Sequence, residues 1–346
     1  MGNNAVMSKY DIKQVQSVKK FLEYWTQAMA DTHWFRESIL FHYTRDEMIE
    51  EIIKEFDAPS NIHLVAKSKS TKEVLGALRV KIRRNIATLG RWEPAVPLMH
   101  RNTRVGEALI EEAFSLLRGK NVHKANCMLK YSFNKPETAS WHITLYKKCG
   151  FKQKGTPGTM LLAELSKIKF SPFEVENLRF IDGDKVPIGK FVDFVLKAYA
   201  STAEDRDIHG FDPYVSKREK AMEVLQAIKS GKMGFSPSEC WKVALLRKES
   251  AGFVIAFMPK SRYRPAHGVV ANIGVFPEFR RKGIAYVLLN EIHDCFKKHR
   301  CKYSYVGTPK TNHPAIRLYQ KAGYKPVFEL INFEKMLTTP HNFTNQ

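Results

Sequence analysis

The chain has 346 residues, of which 44% are hydrophobic and 26% charged, and a formal net charge of +21. That length predicts two domains of ordinary size, and that balance excludes a disordered or fibrous chain. No apolar run reaches the length of a membrane span. The N-terminus lacks the charged-then-apolar pattern of a secretory signal, and Val6 stands where an N-myristoylation motif wants Ser or Thr. The five cysteines, Cys127, Cys149, Cys240, Cys295 and Cys301, form no CxxC pair. Reduced thiols in a cytoplasm, with no metal, are the expectation. The positive charge suits an anionic cofactor or RNA. Neither a dense basic tail nor an aromatic-basic RNA motif accompanies it, which disfavours nucleic acid.

In chain order, Val15 to Ala28 and Arg45 to Phe56 read as helices, and His63 to Ala66 with Val74 to Ile82 as a β-hairpin. The stretch Met99-His100-Arg101-Asn102-Thr103-Arg104-Val105-Gly106-Glu107-Ala108 leads into a helix with Val105, Leu109, Ala113, Leu116 and Leu117 on its apolar side. Further on stands Leu145-Tyr146-Lys147-Lys148-Cys149-Gly150-Phe151, and Lys167 to Pro172 reads as a linker. The second half repeats the order. Pro187 to Tyr199 and Ser216 to Ser230 are its helices; Trp241 to Leu246 and Gly252 to Met258 form its hairpin. An apolar run from Val269 to Val275 follows, then a basic turn, then a helix with Ala285, Leu288, Leu289, Ile292 and Phe296 at helical spacing. Met99 to Ala108 aligns without a gap on Phe276 to Ala285, and Leu145 to Phe151 on Leu318 to Tyr324, in nearly one register. Such a repeat predicts duplicated domains, placed at 1–165 and 172–346, rather than a solenoid.

The stretch Gly274-Val275-Phe276-Pro277-Glu278-Phe279-Arg280-Arg281-Lys282-Gly283-Ile284-Ala285 is a strand, a basic glycine turn and a helix start. Backbone N–H groups at a helix start lack internal partners and point at an anion, and glycine lets the backbone approach it. Cations there oppose the helix dipole unless an anion lies between them and it.

Arg280-x-x-Gly283-x-Ala285 resembles the Q/R-x-x-G-x-G/A loop of the GNAT superfamily of acyl-CoA N-acyltransferases. Asn312-His313-Pro314-Ala315-Ile316-Arg317-Leu318-Tyr319-Gln320-Lys321-Ala322-Gly323-Tyr324 resembles that family's second motif, N-x-x-A-x-x-x-Y-x-x-x-G-F/Y. The order of elements in both halves is that of the family, and the tandem arrangement is similar to that of mycothiol synthase. The resemblance implies an α/β (α+β) chain of two tandem GNAT folds, each a mixed, mostly antiparallel twisted sheet flanked by helices. It implies acetyl-CoA as cosubstrate, with its pyrophosphate on Arg280, Arg281, Lys282, Gly283, Ile284 and Ala285. Its pantetheine arm would lie on Ile273, Gly274 and Val275, with Asn312 in contact. Tyr319 would stand at the sulfur as general acid, giving a proton to the departing thiolate. A backbone N–H near Gly274 and Val275 would hold the thioester carbonyl.

The copies differ where chemistry would be done. Thr103 replaces Arg280, Ala139 replaces Asn312, Trp141 replaces Pro314 and His142 replaces Ala315, while Tyr146 matches Tyr319. The first copy therefore reads as degenerate: structural, lining the acceptor site, or holding CoA without turnover. Glu204, Asp205, Asp207 and Asp212, with His209 among them, form an acidic cluster between the second copy's two helices. A solvated loop is one reading; recognition or deprotonation of a cationic acceptor amine is the other. Glu278 is a weaker base candidate. The expected activity is acetyl transfer from acetyl-CoA to a primary amine, of a small molecule or a protein, by direct attack in a ternary complex. The alternatives are a non-catalytic acyl-CoA-binding module, or an acetyltransferase acting on RNA, aminoacyl-tRNA or protein.

Overall fold

The aliphatic runs form strands and the amphipathic stretches form helices in a computed structural model. It describes residues 10–29, 45–58, 60–118, 120–169, 173–199, 217–260 and 265–337. The first half runs β1 (Tyr10–Gln14), α1 (Val18–Met29), α2 (Arg45–Phe56), β2 (Ile62–Ser68), β3 (Val74–Arg83), β4 (Ile86–Leu89), α3 (Val105–Leu117), β5 (Lys124–Ser132), α4 (Ser140–Lys148) and β6 (Lys152–Glu164). The second runs β7 (Leu178–Asp182), α5 (Ile188–Tyr199), α6 (Arg218–Lys229), β8 (Trp241–Leu246), β9 (Glu249–Phe257), β10 (His267–Val275), α7 (Ile284–Lys298), β11 (Tyr303–Pro309), α8 (His313–Lys321) and β12 (Lys325–Met336). Strands β1 and β7 were not expected. The first helix starts at Val18 rather than Val15 because the Val15 N–H donates to the His63 carbonyl, extending the strand pairing past β1.

The chain divides into two units, Met1–Lys154 with Leu330–Gln346, and Gly155–Glu329. In the first unit the strand order is β1-β2-β3-β4-β5-β12; in the second it is β6-β11-β10-β9-β8-β7. Pairing is antiparallel along β1–β2–β3–β4 and along β7–β8–β9–β10, and parallel for β4–β5 and β10–β11. Each sheet is flanked by helices, as expected. The units do not follow the expected split at 165–172. Ile331 and Phe333 of β12 are buried in the first unit's core. Leu161 and Ala163 of β6 are buried in the second's. Each unit thus takes its closing strand from the other half of the sequence.

In the first unit Phe21 and Trp25 of α1, Met48 and Ile52 of α2, and Leu109 and Ile110 of α3 bury against Leu64, Ala77 and Val80 of the sheet. In the second, Phe191 and Val195 of α5, Leu225 of α6, and Leu288, Ile292 and Phe296 of α7 do the same against Phe253, Val254 and Ile255. Each such side chain contributes about 1.5–3 kcal/mol.

Cys240 and Cys295 are joined in a disulfide, their Cα atoms 6.0 Å apart, while Cys127, Cys149 and Cys301 are free. This corrects the expectation of five reduced thiols. Spacing in the sequence carries no information about partners 55 residues apart. Among the described residues no helix is long and apolar enough to cross a membrane.

Three buried histidines set the acid response. Burial, aided by Arg79, holds His63 at about 4; burial, aided by Arg101, holds His142 at about 3; burial, aided by Lys297, holds His293 at about 3. The unfolded chain takes up these protons near pH 6.5, so the folded state loses stability as pH falls below that value. Glu93 opposes them. Burial outweighs the Arg79 guanidinium and raises its carboxyl to about 7, so its stabilising effect is present in acid and lost as pH rises through 7. The net is about two protons, or at most about 3 kcal/mol per pH unit. Urea unfolding at about pH 4.5, 5.5 and 6.5 should give a stability that rises with pH; a flat or falling profile would contradict this balance.

Candidate functional site

The site begins where two parallel strands part. β10 and β11 pair from His267–Val270 against Tyr303–Val306 and no further. Asn272–Val275 continue beside β9, and Gly307–Pro309 continue beside β6. A gap therefore opens between the carboxyl ends of neighbouring parallel strands, the common ligand position in such sheets. The register of β10 against β9 slips between Val270 and Asn272, leaving Ala271 as the extra residue of a bulge. Gly274 and Val275, where the carbonyl contact was expected, lie beyond that bulge in the regular ladder with β9. Gly274 is needed for packing: a Cβ would stand 2.7 Å from Phe253 and 2.8 Å from Ala198.

Two tyrosines border this gap. Tyr199, the last residue of α5, accepts a hydrogen bond from the Asn272 side chain and donates to the Ile273 carbonyl, both at 3.1 Å. Tyr319 of α8 is 5% exposed, and its hydroxyl makes no hydrogen bond to a described residue. Burial first, then the Tyr199 and Tyr324 hydroxyls, push its phenol above the ordinary range, so it stays protonated. Beneath it Tyr324 meets Ser304 Oγ of β11 at 2.6 Å and His293 Nε2 at 2.7 Å. Tyr319 therefore stands between a tyrosine anchored on β10 and one anchored on β11. The sequence reading missed Tyr199 and Asn272. Asn272, a polar residue inside an apolar run, was the available signal.

The loop after β10 is shaped by two left-handed residues, Arg281 at φ 66 and Gly283 at φ 80. Gly283 is the N-cap of α7. The N–H groups of Arg281, Lys282, Gly283, Ile284 and Ala285 have no hydrogen-bond partner among the described residues. Arg281 and Lys282 extend the charge. Arg280 is also held by the protein. Its guanidinium donates to the Val275 carbonyl at 3.1 Å and the Ala198 carbonyl at 3.0 Å, tying the end of α5 to the loop. Glu278 pairs with Lys197 at 2.6 Å, which holds its carboxyl below the usual range, so it makes a poor base. Asn312 caps α8 by accepting from the Ala315 N–H at 3.3 Å, which leaves its NH2 group free to donate. Ile273 and Val275 are half-buried along β10. Glu204, Asp205, Asp207, His209 and Asp212 lie outside the described residues.

The first unit has the same parting of strands after Thr88 and Asn126, but its own side chains fill it. His142 bonds the Trp92 carbonyl at 3.0 Å, and the Tyr146 hydroxyl donates to the Glu93 carbonyl at 2.6 Å. Helix α3 begins at Val105, so Gly106 is already inside the helix, and Arg104 at φ 62 is the N-cap. Trp141 covers that helix start. Its ring stands 3.1 Å from where a Gly106 Cβ would be, its indole N–H donates to the Arg101 carbonyl at 3.0 Å, and the Arg101 guanidinium stacks on it at 5.0 Å.

Arg280 separates tether from ligand contact. Arg280→Ala removes two charge-assisted hydrogen bonds, which at this partial exposure should cost about 1–3 kcal/mol of stability without any ligand. A side chain that only awaited an anion would leave urea unfolding within about 0.5 kcal/mol of the wild type.

The family model described as "Acetyltransferase (GNAT) family" matches residues 206–324. No curated protein sequence matches the chain. Among solved structures, a GCN5-related N-acetyltransferase from Sphaerobacter thermophilus is similar at TM-score 0.60 and 14% identity, over 94% of this chain and 95% of that one. A tandem GNAT protein from the clavulanic acid biosynthesis pathway is similar at TM-score 0.51 and 14% identity, over 95% and 98%. The glucosamine N-acetyltransferase region of a fungal multi-domain GH3 β-N-acetylglucosaminidase gives TM-score 0.58 at 15% identity, over 94% of this chain and 38% of that one. At such identities the likeness is one of fold. Residues 206–324 thus match the model of that family, and the chain as a whole shares its fold with the Sphaerobacter and clavulanic-acid-pathway structures.

Proposed function

We propose that the second unit transfers an acetyl group from acetyl-CoA to a primary amine of a small molecule or protein. The observation that carries this is the parted β10–β11 pair ending at a basic loop whose N–H groups have no hydrogen-bond partner among the described residues. These residues fit a pyrophosphate with an extended arm. Acetyl-CoA supplies an activated thioester. Arg281, Lys282 and the N–H groups of Gly283 to Ala285 bind the phosphates. The open edge of β10, from Asn272 to Val275, pairs with the arm, and the Asn312 NH2 group donates to it. Near the Ala271 bulge the site holds the reacting carbonyl. Tyr319, protonated and without a hydrogen-bond partner among the described residues, donates to the leaving sulfur. Acetyl-CoA titration, with release of CoA upon addition of an amine panel, tests the reading; no binding or no release would end it.

In this proposal the first unit does not bind the cofactor, because Trp141 covers the helix start and His142 and Tyr146 fill the gap it would need. Arg281 and Arg104 form a matched pair, both left-handed and at the same place in the repeat. Arg281→Glu should weaken acetyl-CoA binding by about 1.5–3 kcal/mol or more, and Arg104→Glu should leave it within about twofold. Calorimetry should give one tight site per chain; two equivalent sites would overturn the asymmetry.

Tyr319→Phe should lower kcat by about a hundredfold while acetyl-CoA affinity stays within about twofold. Since the folded phenol lies above the ordinary range, wild-type kcat should not fall through loss of this proton up to about pH 10. Full kcat in the mutant would return Tyr319 to a packing role.

A further inference from the structure

Phe173 is 43% exposed and takes no part in either core. Its ring edge lies on the anion loop, where a Cβ at Gly283 would fall on Phe173 Cε1. The ring stands at 87° to that of Tyr286, with centroids 6.3 Å apart. The Lys321 ammonium lies 5.8 Å from the Phe173 centroid and 5.2 Å from that of Tyr286. No carboxylate among the described residues pairs with Lys321. An exposed aromatic ring and a free cation therefore stand together, flush against a loop suited to phosphate.

A bare anion would use the cation and not the ring. An apolar chain would use the ring and not the cation. A ligand whose pyrophosphate continues into an aromatic base and a further phosphate uses both. Bases stack on aromatic side chains because every base has a π-face, and an ammonium beside the ring adds attraction for a phosphate ester. We propose that Phe173 and Lys321 form the wall that holds the nucleoside-phosphate end of the cofactor. Phe173 packs on the base and Lys321 pairs with the ribose phosphate. The second unit then selects an acyl group carried on a nucleotide over the same group carried on 4′-phosphopantetheine. This rests on the reading that acetyl-CoA binds the second unit. It adds a residue from the segment between the repeats, which neither motif contains.

The test is calorimetric titration of the full chain with CoA, 3′-dephospho-CoA and 4′-phosphopantetheine. Phe173→Ala should weaken CoA by about tenfold or more and leave 4′-phosphopantetheine within about twofold, while Phe173→Trp should retain CoA affinity. Lys321→Gln should weaken CoA by about tenfold and leave 3′-dephospho-CoA unchanged. Both positions are at the surface, and a thermal melt checks that the variants are folded. Unchanged CoA affinity in Phe173→Ala overturns the proposal. Tighter binding does so too, since the ring would then be an obstruction over the loop. A wild type that binds no CoA sinks the acetyl-CoA reading together with this one; CoA binding with an unchanged ratio to 4′-phosphopantetheine sinks this one alone.

Discussion

When two parallel strands stop pairing, their facing N–H and C=O groups must find other partners or leave a costly hole. Both units of this chain face that constraint at the same place in the repeat, and they meet it in opposite ways. The first supplies the partners itself: His142 serves the Trp92 carbonyl and Tyr146 the Glu93 carbonyl. The second supplies Tyr199 for one carbonyl, Ile273, and leaves the remaining edge of β10 toward the gap. The same tyrosine position is therefore a structural donor in one copy and, among the described residues, an unpartnered phenol in the other. The two units differ in whether that gap is filled from within.

Charge is arranged around that difference. In the first unit the Glu93 carboxylate accepts from the Arg79 backbone N–H, standing in for a missing strand partner, and its ion pair with Arg79 is wholly buried. Such a pair gains little net stability against its desolvation, yet breaking it is costly. It fixes the shape of the segment after β4. In the second unit the corresponding strand is regular beyond its bulge, and the cations sit outside on the loop. Arg280 spends two of its donors on the protein, tying the end of α5 to the loop.

Much of this was legible in the sequence, because helical periodicity and glycine placement are local. The helices from Arg45 and near Pro187, both hairpins, the loop at Gly283 and the helix cap at Asn312 all appear where spacing put them. The two short strands β1 and β7 escaped because five residues carry too little periodicity to stand out. The role of Arg280 escaped because its acceptor on Ala198 lies 82 positions away. The first copy's filled gap was half visible. The substitutions Trp141 and His142 could be read as a loss, but only the fold makes them a plug. The disulfide and the closing strands are products of topology, which no local pattern encodes.

The exchange of closing strands has a consequence for how the chain comes into being. A ribosome delivers the first unit's helices and its strands β1 to β5 before the second unit's, yet the strand that lies beside β5 is made only after the second unit's other elements. Until then the first unit keeps an open edge, a template for unwanted pairing. Meanwhile β6 emerges with its final neighbour, β11, still more than a hundred residues from synthesis, about the length of a small domain. Contacts so distant in sequence form slowly. Neither repeat can therefore mature as an independent domain during translation. By trading strands the two halves of the sequence are bound into a single folding event, since removing either half takes a strand out of the other's unit.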